Sequence, residues 1–131
     1  MSNAPTVLFG LVPLIRAIVR SASTDVATAV TADDSGTMFV NLGTSGTHVY
    51  TMPTLALGKG KHWLFFNGQT TNSFSITVPT DKGIGVDDLL TTTWTSDAVA
   101  GSAAIVICDG TWYYAITTSG AKTTAGVWTT A

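Results

Sequence analysis

The chain's 131 residues and 13.6 kDa allow one ordinary domain with a short appended arm, which excludes a second catalytic lobe. Only 11% of the residues are charged, against about 25% in typical proteins, and 45% are hydrophobic, so hydroxyls, amides and small side chains must cover much of the surface. The formal net charge of −2 and the pI near 5.3 supply no basic field, which argues against nucleic acid and anionic membranes as partners.

The residue types favour strands over helices. All eight acidic residues are Asp and none is Glu, and Thr is the commonest residue, so good helix formers are scarce and β-branched residues are abundant. Cys108 is the only cysteine, which excludes an intrachain disulfide. It lies in the apolar run 103–108, which predicts a buried structural thiol.

The N-terminal region predicts an arm, residues 1–22, that precedes the main domain. The apolar run 6–15 is too short and too interrupted for a transmembrane helix, and no positive charge precedes it as in a signal peptide. Residues 14–20 favour two helical turns, which are marginal alone and need a surface to pack on. We therefore expect the arm to attach to a capsid or a neighbouring copy through Leu8, Phe9, Leu11, Val12, Leu14, Ile15, Ile18 and Val19. The alternative is that these residues complete the core of the β domain itself.

The remainder, residues 23–131, is a series of short strand signals separated by turn residues. A low-charge stretch at 21–30 predicts a linker or a first strand, and residues 31–36 suit one capped helical turn closed by glycine. Run 62–67 is apolar on both alternating sets of positions and predicts a central strand covered on both faces. Strands are further predicted at 37–42, 47–52, 73–78, 91–95, 103–108, 111–117 and 126–130.

Two loops and the strand spacing suggest the fold class. The four residues 43–46 predict a hairpin loop, and Asp109-Gly110 predicts a tight two-residue hairpin turn. Residues 80–85 predict a loop. Seven or eight strands about ten residues apart, with no helical pattern between them and no sequence repeat, predict an all-β, antiparallel β-sandwich or jelly-roll domain.

Several of these segments resemble a family of small β domains in structural proteins of tailed bacteriophages. The similarity covers residues 30–120 and is carried by segments 31–37, 43–46 and 50–53 and by the closing hairpin at 101–104 and 109–113. The family includes capsid decoration (cement) proteins, head fibres and parts of tail fibres or baseplates, commonly as trimers. The resemblance therefore implies a structural role in a virion.

Candidate chemical sites have simpler structural explanations. His48 and His62 lack the further ligands of a closed zinc site, and the pairs at 33–34 and 87–88 lack the spaced ligands of a calcium loop, so we expect no metal and no cofactor. No Gly-x-Ser-x-Gly elbow is present, and we expect no enzymatic activity. The four tryptophans could form a platform on which sugar rings stack. We expect instead that Trp63 and Trp112 lie in the core and that Trp94 or Trp128 is buried between subunits.

Together these expectations describe a phage capsid decoration protein. It would bind the major capsid protein on the outside of the head as an oligomer, a trimer in particular, and stabilise the shell. The alternative is a receptor- or glycan-binding module of a tail fibre or baseplate.

Overall fold

Strands make up almost all regular structure in the computed structural model, which describes residues 15–86, 88–120 and 128–131. The all-β expectation is confirmed. The first six strands are β1 (Ala17–Arg20), β2 (Ala27–Ala29), β3 (Thr37–Asn41), β4 (His48–Thr51), β5 (His62–Asn67) and β6 (Phe74–Thr77). The others are β7 (Gly83–Gly85), β8 (Asp88–Thr91), β9 (Thr93–Thr95), β10 (Ala103–Cys108), β11 (Tyr113–Thr118) and β12 (Thr129–Thr130).

The strands form two sheets that enclose one core. Sheet A has the order β1-β3-β5-β10-β11-β7-β8, and sheet B has the order β12-β9-β6-β4-β2. From β1 to β6 the chain alternates between the sheets, so that neighbours within each sheet pair in parallel. The pairs β1/β2, β3/β4 and β5/β6 are thus three coils of a solenoid-like stack, which we call rungs 1 to 3.

The antiparallel sandwich or jelly-roll predicted from the sequence is therefore wrong for the first half of the chain. Residues 43–46 do not close a hairpin, because they carry the chain from β3 in sheet A to β4 in sheet B. Antiparallel pairing begins after β6: β7 pairs with β8, β9 with β6, and β10 with both β5 and β11. Period-two alternation marks a strand but is the same for parallel and antiparallel neighbours, so the pattern did not distinguish the two arrangements.

The predicted helix at 14–20 is also wrong, because residues 17–20 form β1 and pair in parallel with β3. Two isolated helical turns are marginally stable, and pairing with β3 satisfies the same backbone groups in a larger structure. The stretch at 21–30 contains β2. Within the predicted loop at 80–85, β7 pairs with β11 and β8.

Other local predictions are confirmed. Residues Ala32–Asp34 form a 3-10 helical turn with a capping box, in which the Asp34 carboxylate accepts hydrogen bonds from the Thr31 N–H and hydroxyl. Gly36 closes this turn at φ +83°. A second short helix, α1 (Leu55–Gly58), was not predicted. No helix within the described residues is long and apolar enough to cross a membrane.

The core lies between the sheets and is stacked in columns that follow the strand register. Val19, Phe39 and Phe65 occupy one column in sheet A, and Thr28, Tyr50 and Ile76 occupy one in sheet B. Cys108 is buried, as predicted. The core comprises Val30, Phe39, Tyr50, Met52, Trp63, Phe65, Phe74, Ile76, Val78, Trp94, Ala104, Val106, Cys108, Tyr113 and Trp128.

Candidate interaction surfaces

The outer face of sheet A carries a line of large aliphatic side chains in exact strand register. Ile18 of β1 pairs with Met38 of β3, Met38 with Leu64 of β5, Leu64 with Ile105 of β10, and Ile105 with Ile116 of β11. Side chains at paired positions project from the same face of a sheet. These five residues therefore form a continuous apolar line across five strands, which we call the axial row.

The axial row is exposed along much of its length. Ile18 and Ile116, at its two ends, are 61% and 60% exposed, and the three residues between them are half-buried. Phe66 and Ile107 on the same face are 37% and 40% exposed. Beside the row lies a groove of about 220 Å³, lined by Met38, Leu64, Phe65, Phe66, Ala103, Ala104, Ile105, Ile116 and Thr118.

This face has almost no charge. The five strands that carry the axial row contain a single charged residue, Arg20, which lies at the end of β1. The sequence predicted β5 to be covered on both faces, yet Leu64 and Phe66 face solvent. The sequence signals for this surface are strands β5 and β10, which are both apolar on two faces, a pattern that also fits central burial within the chain.

The second candidate surface is the end of the stack formed by rung 1. Strands β1 and β2 are the edge strands of sheets A and B, and no strand of the described residues pairs with their outer edges. Val19 occupies the same core column as Phe39 and Phe65, but it is 46% exposed whereas those two are nearly fully buried. Val26, which precedes β2, is 51% exposed. Among the residues that the structure describes, rung 1 thus leaves apolar side chains and strand edges uncovered together.

Three of the predicted attachment residues lie at this end, and all three are exposed. Ile15 and Val19 are 39% and 46% exposed, and Ile18 is the first residue of the axial row. Ile18 and Val19 project from opposite faces of sheet A, so the structure divides them between the two candidate surfaces. The remaining predicted residues lie outside the described part of the chain: Leu8, Phe9, Leu11, Val12 and Leu14.

The histidines and carboxylates weighed as sites have structural contacts. The His48 Nδ1–H donates to the Asp25 carbonyl oxygen at 3.2 Å, and the Thr28 hydroxyl donates to Nε2 at 2.8 Å. Burial lowers the His48 pKa below its usual value, which favours the neutral ring in which Nε2 accepts from Thr28. No three His, Cys, Asp or Glu side chains within residues 15–86, 88–120 and 128–131 are placed to hold a metal ion. Asp87 lies outside the described residues.

The tryptophans do not form an exposed platform. Trp63, Trp94 and Trp128 are buried within the chain, so the expectation that Trp94 or Trp128 is buried between subunits is not needed to explain them. Trp112, expected in the core, is instead half-exposed, with the Lys82 ammonium 4.9 Å from its ring centroid. Trp112 is the one described tryptophan whose ring is open to a ligand.

The chain matches no family model, and no curated protein sequence is significantly similar to it.

Proposed function

We propose that the protein is a non-enzymatic structural component of a tailed-phage virion, which decorates the outside of the capsid as a trimer and stabilises the shell. The observation that carries the proposal is the open rung 1, which gives the stack one end able to join a larger body. The sequence resemblance to phage virion β domains is the reason for proposing a phage capsid as that larger structure.

Attachment at rung 1 would cover the strand edges and the exposed valines at this end of the stack. A partner segment that pairs with the edge of β1 or β2 continues a sheet and satisfies backbone groups that otherwise face water. The same segment covers Val19 and Val26, which are 46% and 51% exposed, and so removes the remaining apolar surface of both side chains from water. The capsid partner in this proposal is the major capsid protein.

Stabilisation of the shell then follows from thermodynamic linkage between decoration binding and shell closure. A decoration protein that contacts neighbouring capsid subunits binds the closed shell and loses those contacts when the shell opens. Every such contact therefore adds to the free energy needed to separate the subunits. No catalytic group is required.

Binding to undecorated capsids tests the attachment surface. Val19→Asp and Val26→Asp each place a charge at the apolar end of the stack, and we expect at least a tenfold weaker apparent affinity in co-sedimentation. The matched control is Leu57→Asp, because Leu57 is 63% exposed on α1, outside rung 1. Capsid binding by both rung 1 variants at the affinity of the unmodified chain would contradict the proposal, provided circular dichroism shows all three variants folded.

The alternative, a receptor- or glycan-binding module, has one observation in its favour. Trp112 is half-exposed beside Lys82, and the neighbouring Tyr114 hydroxyl donates to the Asp109 carboxylate at 2.8 Å. An aromatic face with nearby polar groups is a common way to stack a sugar ring. Glycan binding that Trp112→Ala abolishes, together with a low copy number per particle, would favour this alternative.

A further inference from the structure

We propose that Asn67 is a covalent modification site, which the folded chain keeps closed and which unfolding opens to deamidation. Asn67 is followed by Gly68, and this is the one Asn-Gly pair in the sequence. A backbone nitrogen can attack the side-chain amide of the residue before it. Glycine permits this attack best, because it has no Cβ and the most flexible backbone. Such a site limits the lifetime of the unfolded chain, whatever partner the folded chain binds.

The reaction needs only water and involves no oxidation or reduction. The Gly68 nitrogen attacks the Asn67 Cγ, the Cγ–Nδ2 bond breaks, and Nδ2 leaves as ammonia with the proton of the Gly68 N–H. The product is a succinimide ring. Water opens this ring at Cγ, which gives aspartate, or at the backbone carbonyl carbon of residue 67, which gives isoaspartate and routes the main chain through the side chain.

The folded chain holds both reacting groups in hydrogen bonds. The Gly68 N–H donates to the Asn41 carbonyl oxygen at 2.9 Å, so the proton that the nitrogen must lose is held in place. The Asn67 Nδ2 donates to the carbonyls of Asn72 and Asp97 at 3.0 and 3.2 Å. Its Oδ1 accepts from the Asn41 Nδ2 at 3.1 Å. These bonds must break before the nitrogen can reach Cγ, so the reaction requires the structure to open.

Packing explains why the chain keeps glycine after Asn67 despite this lability. A Cβ at position 68 would lie 3.0 Å from the Asn41 carbonyl oxygen and 2.6 Å from the Leu42 Cδ2. The first of these contacts is with backbone, so a larger residue at position 68 would displace the end of β3. The tertiary structure therefore requires both members of the labile pair, asparagine for its hydrogen bonds and glycine for its size.

The products of deamidation do not fit the folded structure. Asn67 is fully buried, and aspartate would place an acceptor oxygen against the carbonyls of Asn72 and Asp97, which now receive donors. Isoaspartate would also move the Asn67 carbonyl, which accepts from the Gly101 N–H at 2.8 Å. A chain that is modified while unfolded should therefore fail to refold, which makes prolonged unfolding irreversible.

Peptide mapping by mass spectrometry tests the site. The full chain is held at mildly alkaline pH, once folded in buffer and once unfolded in guanidinium chloride. We expect deamidation of Asn67 to be at least about a hundredfold slower in the folded chain, because the reaction passes through the small open population. Equal rates in the folded and unfolded chains would overturn the inference.

Two controls show that the Asn-Gly pair is the cause in the unfolded chain. Asn41 precedes a leucine, so it should keep its amide over the period in which Asn67 reacts. Gly68→Ala should slow the reaction at Asn67, and this comparison does not require the variant to fold. An unfolded chain in which Asn67 reacts no faster than Asn41 would also overturn the inference.

Refolding measures the consequence of the modification. Samples taken from denaturant at increasing times are diluted into buffer, and the folded and unfolded fractions are separated and mapped. We expect the recovered fraction to fall as Asn67 deamidates, and the folded fraction to contain unmodified Asn67. If Asn67 is deamidated as often in the folded fraction as in the unfolded one, the modification does not make unfolding irreversible.

Asn67→Asp supplies the first product directly. We expect this variant to lose its cooperative unfolding transition or to unfold at a lower denaturant concentration, because a carboxylate is buried among acceptors. Thr70→Asp adds the same charge at an exposed position of the same turn and should keep the midpoint of the unmodified chain. An Asn67→Asp midpoint equal to that of Thr70→Asp would show that the buried position accepts the product, and would overturn the proposed irreversibility.

Discussion

Two buried asparagines show how single residues hold the turns of the stack together. Asn41 and Asn67 occupy equivalent positions at the ends of β3 and β5, both are fully buried, and the Asn41 Nδ2 donates to the Asn67 Oδ1 at 3.1 Å. The Asn67 Nδ2 also donates to the carbonyls of Asn72 and Asp97, and its Oδ1 accepts from the Gln69 N–H. One buried side chain therefore pairs with three backbone groups from three different parts of the chain.

Replacing Asn67 by leucine should consequently destabilise the protein strongly. Leucine has a similar size but no hydrogen-bonding group, and each buried polar group left unpaired costs about 1–3 kcal/mol. We expect Asn67→Leu to lower the free energy of unfolding by about 3 kcal/mol or more, measured by urea denaturation. Thr70→Val, at an exposed position of the same turn, is the control. A loss below about 1 kcal/mol would mean that water replaces the amide.

At the scale of elements, the β10/β11 hairpin shows how side chains set the length of a loop. Cys108 pairs with Tyr113, so four residues connect the strands and the predicted two-residue turn is wrong. The Asp109 Oδ1 accepts from the N–H groups of Thr111 and Trp112 at 2.8 and 2.7 Å, and these bonds favour the longer loop. They also hold the pKa of Asp109 below its usual value.

Gly110 is the residue of this loop that requires glycine. Its φ of +91° lies in the left-handed region, which costs other residues about 1–2 kcal/mol, and an added Cβ would lie 2.9 Å from the flexible Lys59 side chain. We expect Gly110→Ala to lower the free energy of unfolding by about that amount. Gly110→Asn should lose less, because Asn tolerates positive φ. Equal losses in the two variants would show that contact with Lys59 dominates, and not the backbone conformation.

At the scale of the whole molecule, the sparse charge makes one buried histidine important for the pH dependence of stability. The chain has six basic residues, eight Asp and two histidines, and the buried His48 contacts Thr28 and the Asp25 carbonyl. Burial lowers the His48 pKa in the folded state, so below about pH 6.5 the unfolded chain binds a proton that the folded chain does not. His48 therefore makes the folded state less stable as the pH falls through this range.

Urea unfolding at pH 7.5 and 5.5 measures this effect. We expect stability to be constant above about pH 7 and to fall below 6.5 by at most about 1.4 kcal/mol per pH unit from this residue. In His48→Gln, which keeps an amide in place of the ring, the difference between the two pH values should be smaller. A pH dependence identical to that of the unmodified chain would exclude His48 as its source.

The sequence by itself determined the elements that depend on local chemistry. The abundance of Thr and the scarcity of helix formers indicated an all-β chain, alternation located β6, and the capping residues located the turn at Ala32–Asp34. The burial of Cys108 followed from its apolar run. These features rest on propensities and hydrogen bonds within a few residues, which a sequence records directly.

Only the tertiary structure decided which strands are neighbours and which apolar faces are covered. The alternation of β1 to β6 between two sheets depends on pairing between residues 20 or more positions apart, as between Ile18 and Met38. A period-two pattern does not indicate which strand a residue pairs with. The same holds for β5, whose two apolar faces the sequence shows equally. One face packs into the core and the other carries Leu64 in the axial row, because sheet B covers only one side of sheet A.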